Sequence, residues 1–333
     1  MTTTAPPVAA PTAAVSVRQW LPGLAALGLI WGSSFLFIKV GVSALPPAYV
    51  ALGRVLSGAV VLVAFLAIIR DRLPRELNLW AHNAVVAVLG IAVPFSLFAY
   101  AETQISSVLA GIWNAVTPLI VLPMAVAVFR TEKLTTRRVL GLTLGLVGAL
   151  IILGIWRGVG GASLSGQLLC LAAAACYGVA IPYTKRFIAP RPESGAVMSA
   201  CQLLVATGVL LIAAPLLSRG LPDPTAWSWP VIASVVALGA VGTGLAFVIN
   251  MRNIRLVGAT TASMVTYVVP VFATLLGVLV LRESLEWFQP VGALVVLLGV
   301  AVSQGLLSRR RAPKPTAERP LPLCSGESGD GRT

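Results

Sequence analysis

The chain of 333 residues is 57% apolar and only 11% charged, against about 25% charged in an ordinary soluble domain. Its mean hydropathy of +0.92 would leave large apolar patches on any soluble surface. That excludes a cytosolic enzyme, a disordered chain and a disulfide-stapled secreted module, and it points to a polytopic membrane protein. The formal charge of +13 would suggest nucleic acid in a soluble protein, but membrane proteins also hold Lys and Arg in cytoplasmic loops.

Residues 1–17 are uncharged and rich in Thr, Ala and Pro; without a basic n-region they read as a disordered tail rather than a signal peptide. Ten apolar runs follow, each long enough to cross ~30 Å of hydrocarbon as a helix. The first, 20–42, contains Trp31 and ends near Lys39. The second, 48–69, contains Arg54 about seven residues in, or ~10 Å deep at 1.5 Å per residue. The third, 81–102, runs from His82 through Pro94 and Tyr100 to Glu102. The fourth, 105–129, holds Trp113, Asn114, Pro118 and Pro123, and the fifth, 137–156, holds Gly141, Gly145 and Gly148. The sixth, 164–186, holds Tyr177, Pro182, Tyr183 and Lys185, and the seventh, 195–217, holds Cys201 and Gln202. The eighth, 229–251, holds Asn250; the ninth, 259–281, holds Tyr267 and Pro270; the tenth, 287–307, holds Gly292 and Gly299. Residues 308–333, rich in Arg, Pro, Gly and Ser, read as a disordered basic tail.

The runs lack the period-2 alternation of a lipid-facing barrel, and an open strand would leave backbone groups unpaired in lipid, so they are helices. With a cytoplasmic N-terminus, 19 of the 24 Lys and Arg fall on the cytoplasmic side, four outside, and Arg54 within a span. This bias favours both termini inside and an even helix count. Trp20, Trp80, Trp156, Trp227, Trp229 and Trp287 lie near span ends, as interfacial Trp should.

The second half repeats the first. Trp31-Gly32 with Lys39 matches Tyr177-Gly178 with Lys185 at an offset of 146. Pro118 matches Pro270, Glu132 matches Glu283, and Gly141 and Gly148 match Gly292 and Gly299. Five helices per copy is an odd number, so the copies enter the membrane from opposite sides. Such inverted repeats place a site between the halves and permit alternating access.

The residue types suggest roles, each beside a plainer reading. A central Arg costs at least ~2.5 kcal/mol on insertion scales. Arg54 is a gate or a contact for an anionic substrate group, or it snorkels or bonds a carbonyl. Lys39 and Lys185 are charges at opposed mouths or interfacial anchors. Pro118 and Pro270 are helix hinges or ordinary membrane-helix prolines. Trp31, Tyr100, Trp113, Asn114, Tyr177, Tyr183, Asn250 and Tyr267 line a substrate cavity or bridge helices. The Gly28/Gly32 and Gly141/Gly145 pairs read as close helix packing, within the chain or at a dimer face. No acidic residue lies mid-span, and only Glu102 could be a proton carrier, should the third run extend past it. Four cysteines without CxxC spacing and one histidine leave no zinc set, so no metal or cofactor is expected.

The pattern resembles the ten-helix EamA-type transporters of the drug/metabolite transporter superfamily. The likeness rests on Trp31-Gly32-Ser33-Ser34-Phe35 with Lys39, on Arg54, on Ala110-Gly111, Thr117-Pro118 and Arg130-Thr131-Glu132, and on the second copy Gly258-Ala259, Pro270, Arg282-Glu283, Gly292 and Gly299. The second copy has Tyr177 in place of Trp and Cys201-Gln202 where Arg54 would have a partner. The resemblance implies a bacterial inner-membrane transporter that moves small metabolites, amino acids or drugs.

The expected fold is therefore an all-α integral membrane protein. Its ten transmembrane helices form two inverted five-helix repeats, 18–157 and 158–307, between tails 1–17 and 308–333. The expected function is export by alternating access; a membrane enzyme on lipid-linked substrates and a non-transporting scaffold or sensor are the rivals. Expected partners are a small-molecule substrate, the bilayer, and a proton or sodium ion if transport is coupled, with no nucleic acid, in a monomer or homodimer.

Overall fold

The computed structural model describes residues 17–131, 133–153, 156, 163–218, 222–223, 225, 227–262 and 265–303. The expected tails, Glu132 and the Tyr267 side chain lie outside the described residues. The described residues form ten helical rods and no strand. These are α1 (Val17–Val42), α2 (Pro47–Ile69), α3 (Leu77–Glu102), α4 (Ser107–Val128), α5 (Thr136–Leu153) and α6 (Leu164–Ile188). They continue as α7 (Gly195–Leu217), α8 (Trp229–Asn253, with helical turns on to Ala262), α9 (Val265–Leu281) and α10 (Phe288–Ser303). Seven of them are long and apolar enough to cross a membrane by length and composition, and α9 and α10 contain shorter apolar stretches.

Local chemistry sets the ends. Ser106, Ser163 and Ser194 each cap a helix by accepting the backbone N–H three residues on, which satisfies one of the orphan donors there. Three helices end on an arginine in the left-handed region: Arg70, Arg130 and Arg282, at φ 56°, 52° and 54°. After Arg130 and Arg282 the chain closes identically, Thr131 N donating to Ala125 O and Glu283 N to Gly277 O. These turns are 152 residues apart, the same spacing as Pro118 and Pro270.

The prolines act in two ways. Pro94, Pro123 and Pro182 each lie within two residues of a π-helical turn, at Val88–Ala92, Met124–Val128 and Thr184–Ile188. At Pro94 the wider turn precedes the ring and spans Gly90, whose carbonyl loses its partner; at Pro123 and Pro182 it follows the ring. Pro118, one of the two expected hinges, lies in the first turn of a new helix. The fourth span stops at Asn114, makes tight turns at Ala115 and Val116, and restarts at Thr117. Its partner α9 stays helical through Pro270. The repeats thus differ where a broken helix can face a cavity.

Helix neighbours obey a two-fold rule. α1 packs on α9 and α8, as α6 packs on α4 and α3; α2 packs on α8, as α7 packs on α3. α2 meets its own counterpart α7, and α5 meets α10. This is the contact pattern of two inverted copies around an axis in the membrane plane. Small residues make the closest approaches. A Cβ on Gly148 would lie 2.6 Å from Val296 N, and one on Gly299 2.6 Å from Gly141 O, so α5 and α10 meet backbone to backbone. Gly32 similarly abuts Phe272 and Ala273 of α9. Aliphatic side chains such as Ile68, Ile212 and Leu279 are exposed, as a lipid-facing surface requires.

Candidate functional site

The seam between the halves carries an arginine. Arg54, on the α2 face against α8, donates from Nε to Thr243 Oγ1 at 3.1 Å. Thr243 in turn donates to Leu238 O, which fixes its hydroxyl. The guanidinium carbon lies 3.7 Å from the centroid of the Phe95 ring, a cation–π stack. Arg54 forms no salt bridge among the described residues and stays half-buried. Close approach of α2 and α8 makes the arrangement possible: Gly58 lies against Gly239 O and Thr243, and Gly239 against Arg54 O. Tyr177 of α6 stacks on Phe98, next along α3, at 6.4 Å. Arg54 and Phe95 come from the first copy, Thr243 and Tyr177 from the second. Gln202, in the Cys201-Gln202 pair that stands opposite Arg54 in the second copy, donates to Asn83 Oδ1 at 3.0 Å. It bridges α7 to α3 as Arg54 bridges α2 to α8, but it is neutral and buried.

Two faces flank this seam. On one, His82 Nδ1 and Tyr183 Oη are 2.7 Å apart, and Phe187 stacks on the imidazole at 5.2 Å. Phe129 meets Tyr183 edge-on, and Arg186 donates to Phe129 O at 2.6 Å. A shallow, open groove of about 370 Å³ lies beside this cluster at the ends of α4 and α6, lined by Phe129, Arg130, Arg186 and Phe187 among others. On the other face, Lys39 Nζ donates to Glu102 O at 2.6 Å and Ile105 O at 2.8 Å. Glu283 accepts from Ser107 N and Oγ and from Val108 N, all at 2.9–3.0 Å. A carboxylate there complements the helix N-terminus of α4. These bonds tie α1 to the end of α3 and the loop after it, and the end of α9 to α4, and so hold the Lys39 face together.

The expected site residues divide accordingly. Arg54 and Tyr177 gather at the seam. Trp31, the repeat partner of Tyr177, is half-buried against the same core cluster. Trp113 is fully packed and donates from Nε1 to Gln167 Oε1 at 3.2 Å, so it bridges α4 to α6. Tyr183 belongs to the aromatic cluster of the His82 face. Tyr100, Asn114 and Asn250 are half-buried on α3, α4 and α8. Lys39 works as a clamp on two carbonyls, whereas Lys185 is exposed in the last turn of α6. Three residues escaped the sequence reading: Thr243, Glu283 as a cap, and the burial of Glu102. Each depends on contacts across more than 60 residues of chain or on tertiary cover, which no local pattern records.

A family model described as the EamA-like transporter family matches residues 19–154 and 164–304, once per half. The chain belongs to the EamA-like transporter family. Among its relatives, the uncharacterized transporter YoaV of Bacillus subtilis is 26% identical over 87% of this chain and 98% of its own length. The uncharacterized inner membrane transporter YedA of Escherichia coli is 30% identical over 81% of this chain and 87% of its own. Protein PecM of Dickeya dadantii is 23% identical over 86% and 93%. A crystal structure with 21% identity aligns at a TM-score of 0.60 over 89% of this chain and all of the other, a likeness of fold. This EamA-like chain is therefore a multi-pass membrane transporter.

Proposed function

We propose that the protein exports small amphipathic metabolites, amino acids or drugs across a bacterial inner membrane. Its halves rock about the α2–α7 and α5–α10 contacts and open a midplane cavity to each side in turn. The observation that carries this reading is the Arg54 cluster: a planar cation on an aromatic ring, with partners drawn from both inverted copies. Such a group can take the anionic end of a substrate while Phe95, Phe98 and Tyr177 take its apolar end. Both termini face the cytoplasm, following the distribution of basic residues. That puts the closed Lys39 face outside and the open His82 face inside. Export is assigned by family analogy.

The test is flux in proteoliposomes holding the full-length protein. Radiolabelled leucine, phenylalanine, uridine and a cationic dye are offered under imposed pH and sodium gradients. Saturable uptake of at least one probe above empty vesicles is the expected result. No flux of any of the four, from protein that remains monodisperse, would overturn the substrate reading.

A further inference from the structure

The Lys39 face holds a buried acid that the reading above leaves without a role. Glu102 ends α3 and is 0% exposed. Neither of its carboxylate oxygens has a hydrogen-bond partner among the described residues. The charged groups within electrostatic reach are Lys39 from α1, Glu283 from the end of α9 and Arg54 from α2, and the Cys170 thiol lies towards α6. Each charged group is engaged elsewhere. Lys39 holds two backbone carbonyls, Glu283 caps α4, and Arg54 is held by Thr243 and Phe95. A bare carboxylate in that position bears the full cost of desolvation, whereas the neutral acid bears little of it. The closed face therefore holds Glu102 as the acid.

The bonds of that face lie around Glu102: Lys39 of α1 holds the Glu102 and Ile105 carbonyls, and Glu283, just past α9, holds the first turn of α4. When they part, water reaches the carboxyl. Its O–H bond breaks, the proton passes to that water, and a carboxylate remains beside a Lys39 ammonium freed from its carbonyls. We propose that Glu102 is the proton-binding site of this transporter, exchanging its proton with water when the Lys39 face opens and carrying it as the neutral acid while that face is closed. The proposal rests on the transport reading and supplies its coupling ion.

The experiment uses the full-length protein and the apolar reagent dicyclohexylcarbodiimide, which adds across the O–H of protonated carboxyls in apolar surroundings. Mass spectrometry is expected to place the adduct on Glu102. Its yield is expected to fall across a titration from acid to alkaline pH. Glu102→Gln shows no adduct there, and Glu102→Asp, the conservative control for folding, still reacts. In proteoliposomes with leucine as probe, Glu102→Gln keeps leucine exchange but loses accumulation driven by a pH gradient. An adduct absent from Glu102 at every pH, or unchanged across the range, overturns the site. Accumulation by Glu102→Gln equal to wild type overturns its coupling role, as does loss of exchange in a monodisperse variant. If neither protein moves leucine, the substrate reading fails for that probe, and the adduct titration alone decides the proton site.

Discussion

Arg54 shows how a single residue sets the character of the seam. Lysine would carry the same charge but could not present Nε to Thr243 while laying a flat face on Phe95. We expect Arg54→Gln to lower flux of an anionic or zwitterionic probe about tenfold or more, since a charge-assisted bond is worth about 1.5–3 kcal/mol. Arg54→Lys should recover only part of the loss. Expression and melting temperature should stay near wild type, because no salt bridge is broken. Wild-type flux from Arg54→Gln in proteoliposomes would remove Arg54 from the substrate path. The arginine itself was legible in the sequence as a charge out of place. Its partners were not, because Thr243 lies 189 residues away and only the fold brings it near.

At the scale of the element, the α5–α10 contact gives a sharp contrast between two glycines. A Cβ on Gly148 would meet Val296 N at 2.6 Å and Gly292 O at 2.8 Å, both backbone atoms that cannot swing aside. A Cβ on Gly208 of α7 would meet nothing within 4 Å. Gly148→Ala should therefore destabilise by about 1–3 kcal/mol as the helices are forced apart. Gly208→Ala should be neutral or stabilise by up to about 1 kcal/mol through helix propensity. Thermal unfolding in detergent reads both, and equal melting temperatures would refute the backbone contact. Most elements were legible from apolar run length: the second run, 48–69, and the seventh, 195–217, agree with α2 and α7 to within a residue. The break in α4 was not. Pro118 signals a lost bond to Asn114 O, but the same signal at Pro270 leaves α9 whole. Packing around the two prolines decides, and packing is not written locally.

For the whole molecule, the two faces differ although the copies match. The Lys39 face is held by bonds from α1 to the α3 end and from the end of α9 to α4, while the His82 face carries a shallow open groove at the ends of α4 and α6. The basic-residue count predicts which face meets the cytoplasm. In right-side-out vesicles of a variant lacking its native cysteines, a cysteine replacing Thr103 should react with a membrane-impermeant maleimide. One replacing Arg72 should react only after permeabilisation. The reverse pattern would invert the topology and with it the assignment of the closed face. The duplicated order of the chain was legible because Trp31/Tyr177, Pro118/Pro270 and the glycine pairs recur in sequence. Which face is closed was not, since two copies of one pattern give no preference.

The backbone contact of α5 with α10 constrains how such a chain can diverge after duplication. Gly148 touches Gly292 and Gly299 touches Gly141, so each copy supplies the surface against which the other is fitted. A larger residue in either copy harms both at once, and no change confined to one copy can relieve it. Side chains at the seam differ between the copies instead: Tyr177 stands where the first copy has Trp31, and Cys201-Gln202 where it has Arg54. The pivot holds the twins alike, and the cavity is where they are free to become different proteins.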